Sequence, residues 1–175
     1  MGAEDRPRRR AQEGSGVVPG KPGIDGGNAA GEREARYREI RRSRSDPSTF
    51  YGFLGMRLEE LGEGTSRFVM PVTPGFFNAG GVVHGGVMAS IADASIAAAL
   101  ATLVDHAREI MATVEMKINY IAPVRGGDIV CEAVIIQKGR SVAVGEAIVR
   151  DGNGKLLAKA MATFMVREKA GGEDR

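Results

Sequence analysis

Cysteine occurs once in these 175 residues, at Cys131, and tryptophan not at all. A single cysteine excludes an intramolecular disulfide and suits a reducing compartment, so a cytoplasmic protein is expected. Histidine is nearly as scarce: only His84 and His106 are present, too few for a zinc cluster of Cys and His ligands, and no metal is expected. There is no Gly-x-Ser-x-Gly elbow to carry a serine nucleophile. Cys131 falls inside an expected strand with no histidine close in sequence, where it reads as a small core residue. Net charge is small too, at +2, with 11 Lys/Arg against 8 Asp/Glu through Asp46 and 13 against 14 beyond it. The basic balance belongs to the N-terminal segment, whose arginines have no interleaved aromatics, so no nucleic-acid partner is expected.

Residues 1–46 also have few large apolar side chains and cannot bury enough surface to offset the entropy of ordering. They read as a disordered tail with no apolar signal core, in which residues 32–44 form at most a charged helical turn or two. Order is expected from the Asp46-Pro47-Ser48-Thr49-Phe50 cap onward, with Phe50, Phe53 and Leu54 facing the core. One domain is expected over 47–167, followed by a second disordered tail over 168–175. Met56–Leu61 and Arg67–Val72 read as a hairpin around Gly62-Glu63-Gly64-Thr65. Thr113–Ile121 alternates, with Val114, Met116, Ile118 and Tyr120 on a buried face and Glu115, Lys117 and Asn119 on a wet one. Asp128–Gln137, Ser141–Arg150 and Lys155–Val166 follow through short turns, and the run Val134-Ile135-Ile136 suggests burial on both faces. Together these four strands read as an antiparallel meander.

Between the hairpin and the meander lies the most informative stretch, residues 78–104. Glycine-rich at its start, it becomes a helix-forming run in which Asp93 is the only formally charged residue between Gly85 and Val104. A helix apolar all round expects to be buried. The fold class expected is α+β, a curved antiparallel β-sheet wrapped around one long central α-helix. Gly86–Val104 approaches the ~20 residues of a membrane span, but Ala and Ser dominate it. Asp93 sits mid-segment, where a charge costs about 2.5–3.5 kcal/mol on the insertion scale. No membrane association is expected.

A lone carboxylate in such a helix either pairs or performs chemistry, because an isolated buried charge is costly. A helix starting near Gly85 leaves the amides of Gly85, Gly86 and Val87 unpaired, a site suited to a polarised carbonyl. Asp93 projects from the same stripe as Gly86, about 10 Å further along the axis, too far to act on a carbonyl held at that helix's own N-terminus. Two antiparallel copies would bring Asp93 of one chain to the Gly85 amide of the other. The spacing therefore argues for a homo-oligomer, a dimer at least. An edge strand at Thr113–Ile121 would be protected by pairing with its own copy.

The pattern Asn78-x-x-Gly81-x-x-His84-Gly85-Gly86 followed by Asp93 resembles the hotdog-fold acyl-CoA thioesterases of the phenylacetate-pathway (PaaI-like) group. The resemblance spans about 47–167 and extends to Tyr120-Ile121-Ala122-Pro123, Gly126-Gly127-Asp128 and Lys138-Gly139-Arg140. It implies hydrolysis of acyl- or aroyl-CoA, with coenzyme A as part of the substrate and no other cofactor; the assembly expected is a homo-oligomer, a dimer or a homotetramer. Asp93 would be the general base or the nucleophile, and Gly85 would polarise the carbonyl through its backbone N–H. Asn78 would hold the thioester or the water, His84 would cap the loop or meet the sulfur side, and Thr113 would orient the water. Gly86, Arg125, Lys138, Gly139 and Arg140 would bind substrate, the cations meeting the phosphates of coenzyme A. Two other functions fit the fold less well. A non-catalytic acyl-CoA sensor would be expected to carry a DNA-binding domain or to lose the carboxylate. A dehydratase or hydratase would place Asp and His together early in the helix.

Overall fold

Residues 26–169 are described by a computed structural model. The elements in chain order are α1 (Gly26–Arg44), α2 (Phe50–Phe53), β1 (Arg57–Gly62), β2 (Thr65–Pro71), a 3-10 turn (Pro74–Phe76), α3 (Gly85–Ala101), β3 (Glu109–Tyr120), β4 (Asp128–Lys138), β5 (Val142–Asp151) and β6 (Leu156–Glu168). The six strands make one antiparallel sheet in the order β1-β2-β4-β5-β6-β3. Every strand touches α3, which requires the sheet to curve around the helix.

Residue size explains how close the two layers come. Ala94, Ala98 and Ala99 of α3 meet a sheet floor that includes Ala143, Ala147, Ala160 and Ala162. At Gly145 a Cβ would lie only 2.6 Å from Ile96 Cγ2, so the helix passes where a side chain would stand. Ile91, Ile96 and Leu100 are fully buried and contribute about 1.5–3 kcal/mol each.

Several expectations are corrected. β3 does not open a four-strand meander: it pairs with β6 at the sheet edge, while β4, β5 and β6 follow one another. The edge position, and a bulge between Thr113 and Glu115, leave Val114 and Tyr120 exposed rather than buried. Val134 and Ile136 are exposed as well, because no layer among the described residues covers that face of the sheet. Phe50 and Phe53 point outward, at 57% and 78% exposure, while Leu54 and the stacked pair Tyr51–Phe68 pack inward. The central helix is not wholly buried: Gly86, Ala89, Ser90, Asp93 and Ala97 form a stripe that the chain's own sheet leaves open.

The N-terminal segment holds more structure than its composition suggests. Helix α1 covers residues 26–44, where a charged turn or two is expected. Its ordering comes from one face: Ile40 is buried at 2% exposure, Arg36 Nη1 donates to Thr102 O at 3.0 Å, and the Arg44 guanidinium lies 5.5 Å from the Tyr51 ring centre. Of the tails expected over 1–46 and 168–175, residues 1–25 and 170–175 lie outside the described residues, and Glu168 still belongs to β6. No helix among the described residues is long and apolar enough to cross a membrane.

Candidate functional site

The loop before α3 is built by its own polar groups. Asn78 Oδ1 accepts from the N–H of Gly80 at 2.8 Å and of Val82 at 3.4 Å, and the Asn78 N–H donates to Val82 O. Such an Asx turn fixes a tight reversal, and Gly81 sits in it at φ +72°. Val83 N–H donates to Val124 O and His84 N–H to Phe76 O, which ties the loop to the β3–β4 connection. The chain is thereby delivered to the first turn of α3 in a fixed direction.

His84 is the N-cap: its Nδ1 accepts from the Gly86 N–H at 2.9 Å. An accepting Nδ1 belongs to the neutral ring with its proton on Nε2. The Val87 N–H donates to His84 O. Gly85 N–H, by contrast, has no hydrogen-bond partner among the described residues. At a helix N-terminus this leaves a backbone donor, backed by the helix dipole, free to meet an oxyanion.

Asp93 stands half-buried on the open stripe of α3, and Thr113 of β3 donates its hydroxyl to Asp93 Oδ1 at 2.7 Å. Thr113 reaches it because its pairing with Phe164 turns it toward the helix. An open cavity of about 370 Å³ lies at the start of α3, lined by residues that include Asn78, Gly85, Met88 and Tyr120. Asp93 and Thr113 do not line it. Within one chain the amide and the carboxylate are therefore separated, with Asp93 about 12 Å along the axis from Gly85 at 1.5 Å per residue.

The structure thus brings together Asn78, His84, Gly85 and Gly86 as one group and Asp93 with Thr113 as another. The phosphate-binding candidates join neither. Arg125 is exposed in the β3–β4 connection. Lys138 lies at the far end of β4 and pairs with Glu109 at 3.7 Å. Gly139 and exposed Arg140 border a groove of about 620 Å³ on the outer face, with Ile136, Val142 and Met161. Of the apolar residues flanking the site, Met88 lines the cavity and Phe76 is buried in the core, while Phe77 is exposed.

Two contacts come from residues outside the candidate site set, Tyr120 and Ser90. Tyr120 OH donates to Gly85 O at 3.0 Å, and its ring fills the space where a Gly85 Cβ would stand. Ser90 Oγ donates to Gly86 O at 2.9 Å. The signal for Tyr120 was its phase: it shares a face with Met116 and Ile118, the face that turns toward the helix. Among the described residues no group of three or more His, Cys, Asp or Glu is placed to hold a metal ion.

The thioesterase superfamily model matches residues 80–158, from the loop before α3 into β6. A Saccharolobus solfataricus protein provisionally named an esterase is 32% identical over 123 residues, 70% of this chain and 81% of its own length. The solved structure of a conserved protein from Pseudomonas aeruginosa is 34% identical, with a TM-score of 0.66 over 72% of this chain and 98% of that one. A Haemophilus influenzae thioesterase superposes with a TM-score of 0.70 at 22% identity, covering 79% of this chain and 94% of its own, which speaks for the fold. The architecture is the hotdog fold.

Proposed function

Because the chain belongs to the thioesterase superfamily, whose chemistry is thioester hydrolysis, we propose that it hydrolyses acyl- or aroyl-CoA thioesters to the free acid and coenzyme A. The observation that carries this reading is Asp93, half-buried on an otherwise small-residue stripe, with one oxygen held by Thr113 and the other without a hydrogen-bond partner among the described residues. A carboxylate so held is ready to act. As general base, Asp93 takes a proton from water while the water oxygen attacks the thioester carbonyl. The oxyanion forms against the Gly85 N–H, the C–S bond breaks, and the thiolate leaves with the proton from Asp93. As nucleophile, Asp93 would attack the same carbon and expel the coenzyme A thiolate as the C–S bond breaks, leaving a mixed anhydride; water then opens it to the free acid and the Asp93 carboxylate, its proton passing to the thiolate.

Either route needs the carboxylate and the amide at one carbonyl, which the ~12 Å between them in one chain forbids. The site is therefore shared between two copies. The open stripe of α3 is the surface for a second, antiparallel helix, and the β3 edge is free to pair with its own copy. Dimers joined through the apolar outer face around Ile136, Val142 and Met161 make the tetramer. Asn78 and His84 shape the loop that presents Gly85, and Arg125, Lys138 and Arg140 meet the phosphates of coenzyme A. These assignments belong to a PaaI-like enzyme of the cytoplasm.

The test is thiol release from phenylacetyl-, hydroxybenzoyl-, hydroxynaphthoyl- and medium-chain acyl-CoA, comparing the native chain with Asp93→Asn. Turnover abolished in a folded, oligomeric Asp93→Asn variant supports the reading. Binding without release replaces it with an acyl-CoA binding module.

A further inference from the structure

The Gly85–Gly86 peptide is held at both ends by side chains from different elements. Its N–H, on Gly86, donates to His84 Nδ1 at 2.9 Å, and its C=O, on Gly85, accepts from Tyr120 OH at 3.0 Å. We propose that Tyr120 is a positioning residue for the reaction: with His84 it locks this peptide and thereby aims the neighbouring Gly85 N–H at the oxyanion. The proposal rests on the thioesterase reading of Gly85.

Gly85 needs such a lock. Glycine has no Cβ to narrow its backbone torsions, and two glycines in succession make the start of α3 its least restrained turn. The Gly85 N–H and the Gly85–Gly86 peptide share one Cα, so fixing the second through φ and ψ of Gly85 directs the first. Substituting alanine would not supply the restraint, because its Cβ would lie 2.9 Å from Tyr120 Cζ and 3.1 Å from the hydroxyl. The ring occupies the place of the side chain that Gly85 lacks.

Tyr120 is itself firmly anchored. It ends β3, paired with Ala158 of β6, and the next two amides, of Ile121 and Ala122, both donate to Leu157 O. Packing does not account for its position, since the residue is 50% exposed and faces the cavity at Gly85. Its hydroxyl makes one directed bond, and that bond goes to the backbone of the reacting turn. A preorganised donor does not have to reorient as charge develops on the carbonyl, which is where such a restraint acts.

The experiment is Tyr120→Phe, which keeps the ring and removes the hydroxyl, read in two ways on the full chain. Kinetically, kcat for thioester hydrolysis is expected to fall about tenfold with KM within about twofold, since removing an oxyanion donor outright costs about 10²–10³. Spectroscopically, the Gly85 and Gly86 amides are expected to shift and to exchange with solvent several-fold faster, while amides of β4 and β5 stay as in the native protein. Combining Tyr120→Phe with His84→Ala is expected to be non-additive, as for two groups holding one peptide. Unchanged Gly85 and Gly86 amides overturn the proposal whatever the kinetics, and so does a raised KM with kcat intact, which would place the hydroxyl on the substrate. If the native chain releases no thiol, hydrolysis is the reading that fails, and amide exchange alone decides the role of Tyr120.

Discussion

Thr113 on the edge strand and Asp93 on the central helix are joined by a single hydrogen bond of 2.7 Å, with the threonine hydroxyl as donor. One carboxylate oxygen is thereby occupied and the carboxylate plane fixed. Thr113→Val, which keeps the shape and loses the donor, is expected to lower kcat about tenfold. Thr113→Ser is expected to retain most of the activity. Asp93→Asn is expected to cost 10²-fold or more, in line with the loss of a general base. Steady-state thiol release from one acyl-CoA substrate ranks all three.

The cap at His84 predicts a separate loss of stability. Replacing a side chain that accepts a first-turn N–H costs about 0.5–2 kcal/mol. For His84→Ala this corresponds to a fall in Tm of about 2–4 °C per kcal/mol for a chain of this size. His84→Asn is expected to recover part of it, since asparagine is a strong N-cap. Thermal denaturation followed by circular dichroism reads both.

Cys131 sets the behaviour at high pH. Burial pushes its thiol up to about 12 from an ordinary 9.0; a hydrogen bond with Ser95 acts the other way, and the charge of Glu132 adds to the rise. The folded chain holds this proton more tightly than the unfolded one. Stability is therefore full below pH 9 and falls as pH rises from about 9 to 12. Urea midpoints measured from pH 7 to pH 11 are expected to fall over the upper range, and Cys131→Ala is expected to flatten that part of the profile. The same burial makes the native chain inert to a chromogenic thiol reagent at neutral pH, so released coenzyme A is read without background.

Gly145 predicts an overpacking cost. An added Cβ would sit 2.6 Å from Ile96 Cγ2 and 3.0 Å from Ile135 Cδ1, and Ile96 is fully buried. Gly145→Ala is expected to destabilise by about 1–3 kcal/mol. Pairing it with Ile96→Val, which removes a methyl from the contact, is expected to restore part of the loss. Chemical denaturation of the single and double variants tests the contact directly.

The central helix and the hairpin were legible in the sequence because each carries a local signal: the glycine-to-apolar transition at Gly85, and Gly62-Glu63-Gly64-Thr65 between two strand patterns. Asp93 was legible because a lone charge stands out in an apolar run; its direct bond with Thr113 was not, since the resemblance gave Thr113 only the role of orienting the water. The position of β3 was not legible. Short turns favour neighbours in sequence, and nothing local tells Thr113–Ile121 to cross to the far side of the sheet. Val134 and Ile136 misled because an apolar run looks the same whether it meets a core or an uncovered face. Helix α1 was hidden by its composition, since its docking depends on Ile40, on the Arg36 hydrogen bond to Thr102 O and on the Arg44 guanidinium over the Tyr51 ring rather than on an apolar stripe. Tyr120 needed coordinates, for its partner is a backbone oxygen at the start of another element.

The crossing of β3 to β6 also sets an order of events during synthesis. The strand that carries Thr113 emerges from the ribosome well before Phe164, the residue against which it pairs, and until β6 follows it has no strand of its own chain, among the described residues, to pair with. The hairpin and α3 can associate early, but Thr113 cannot be fixed against Asp93 until the last strand has been made. A chain cut short within β6 would keep every residue of the reacting centre and still lack the centre, so the C-terminal strand acts as the final checkpoint on whether a newly made molecule is active.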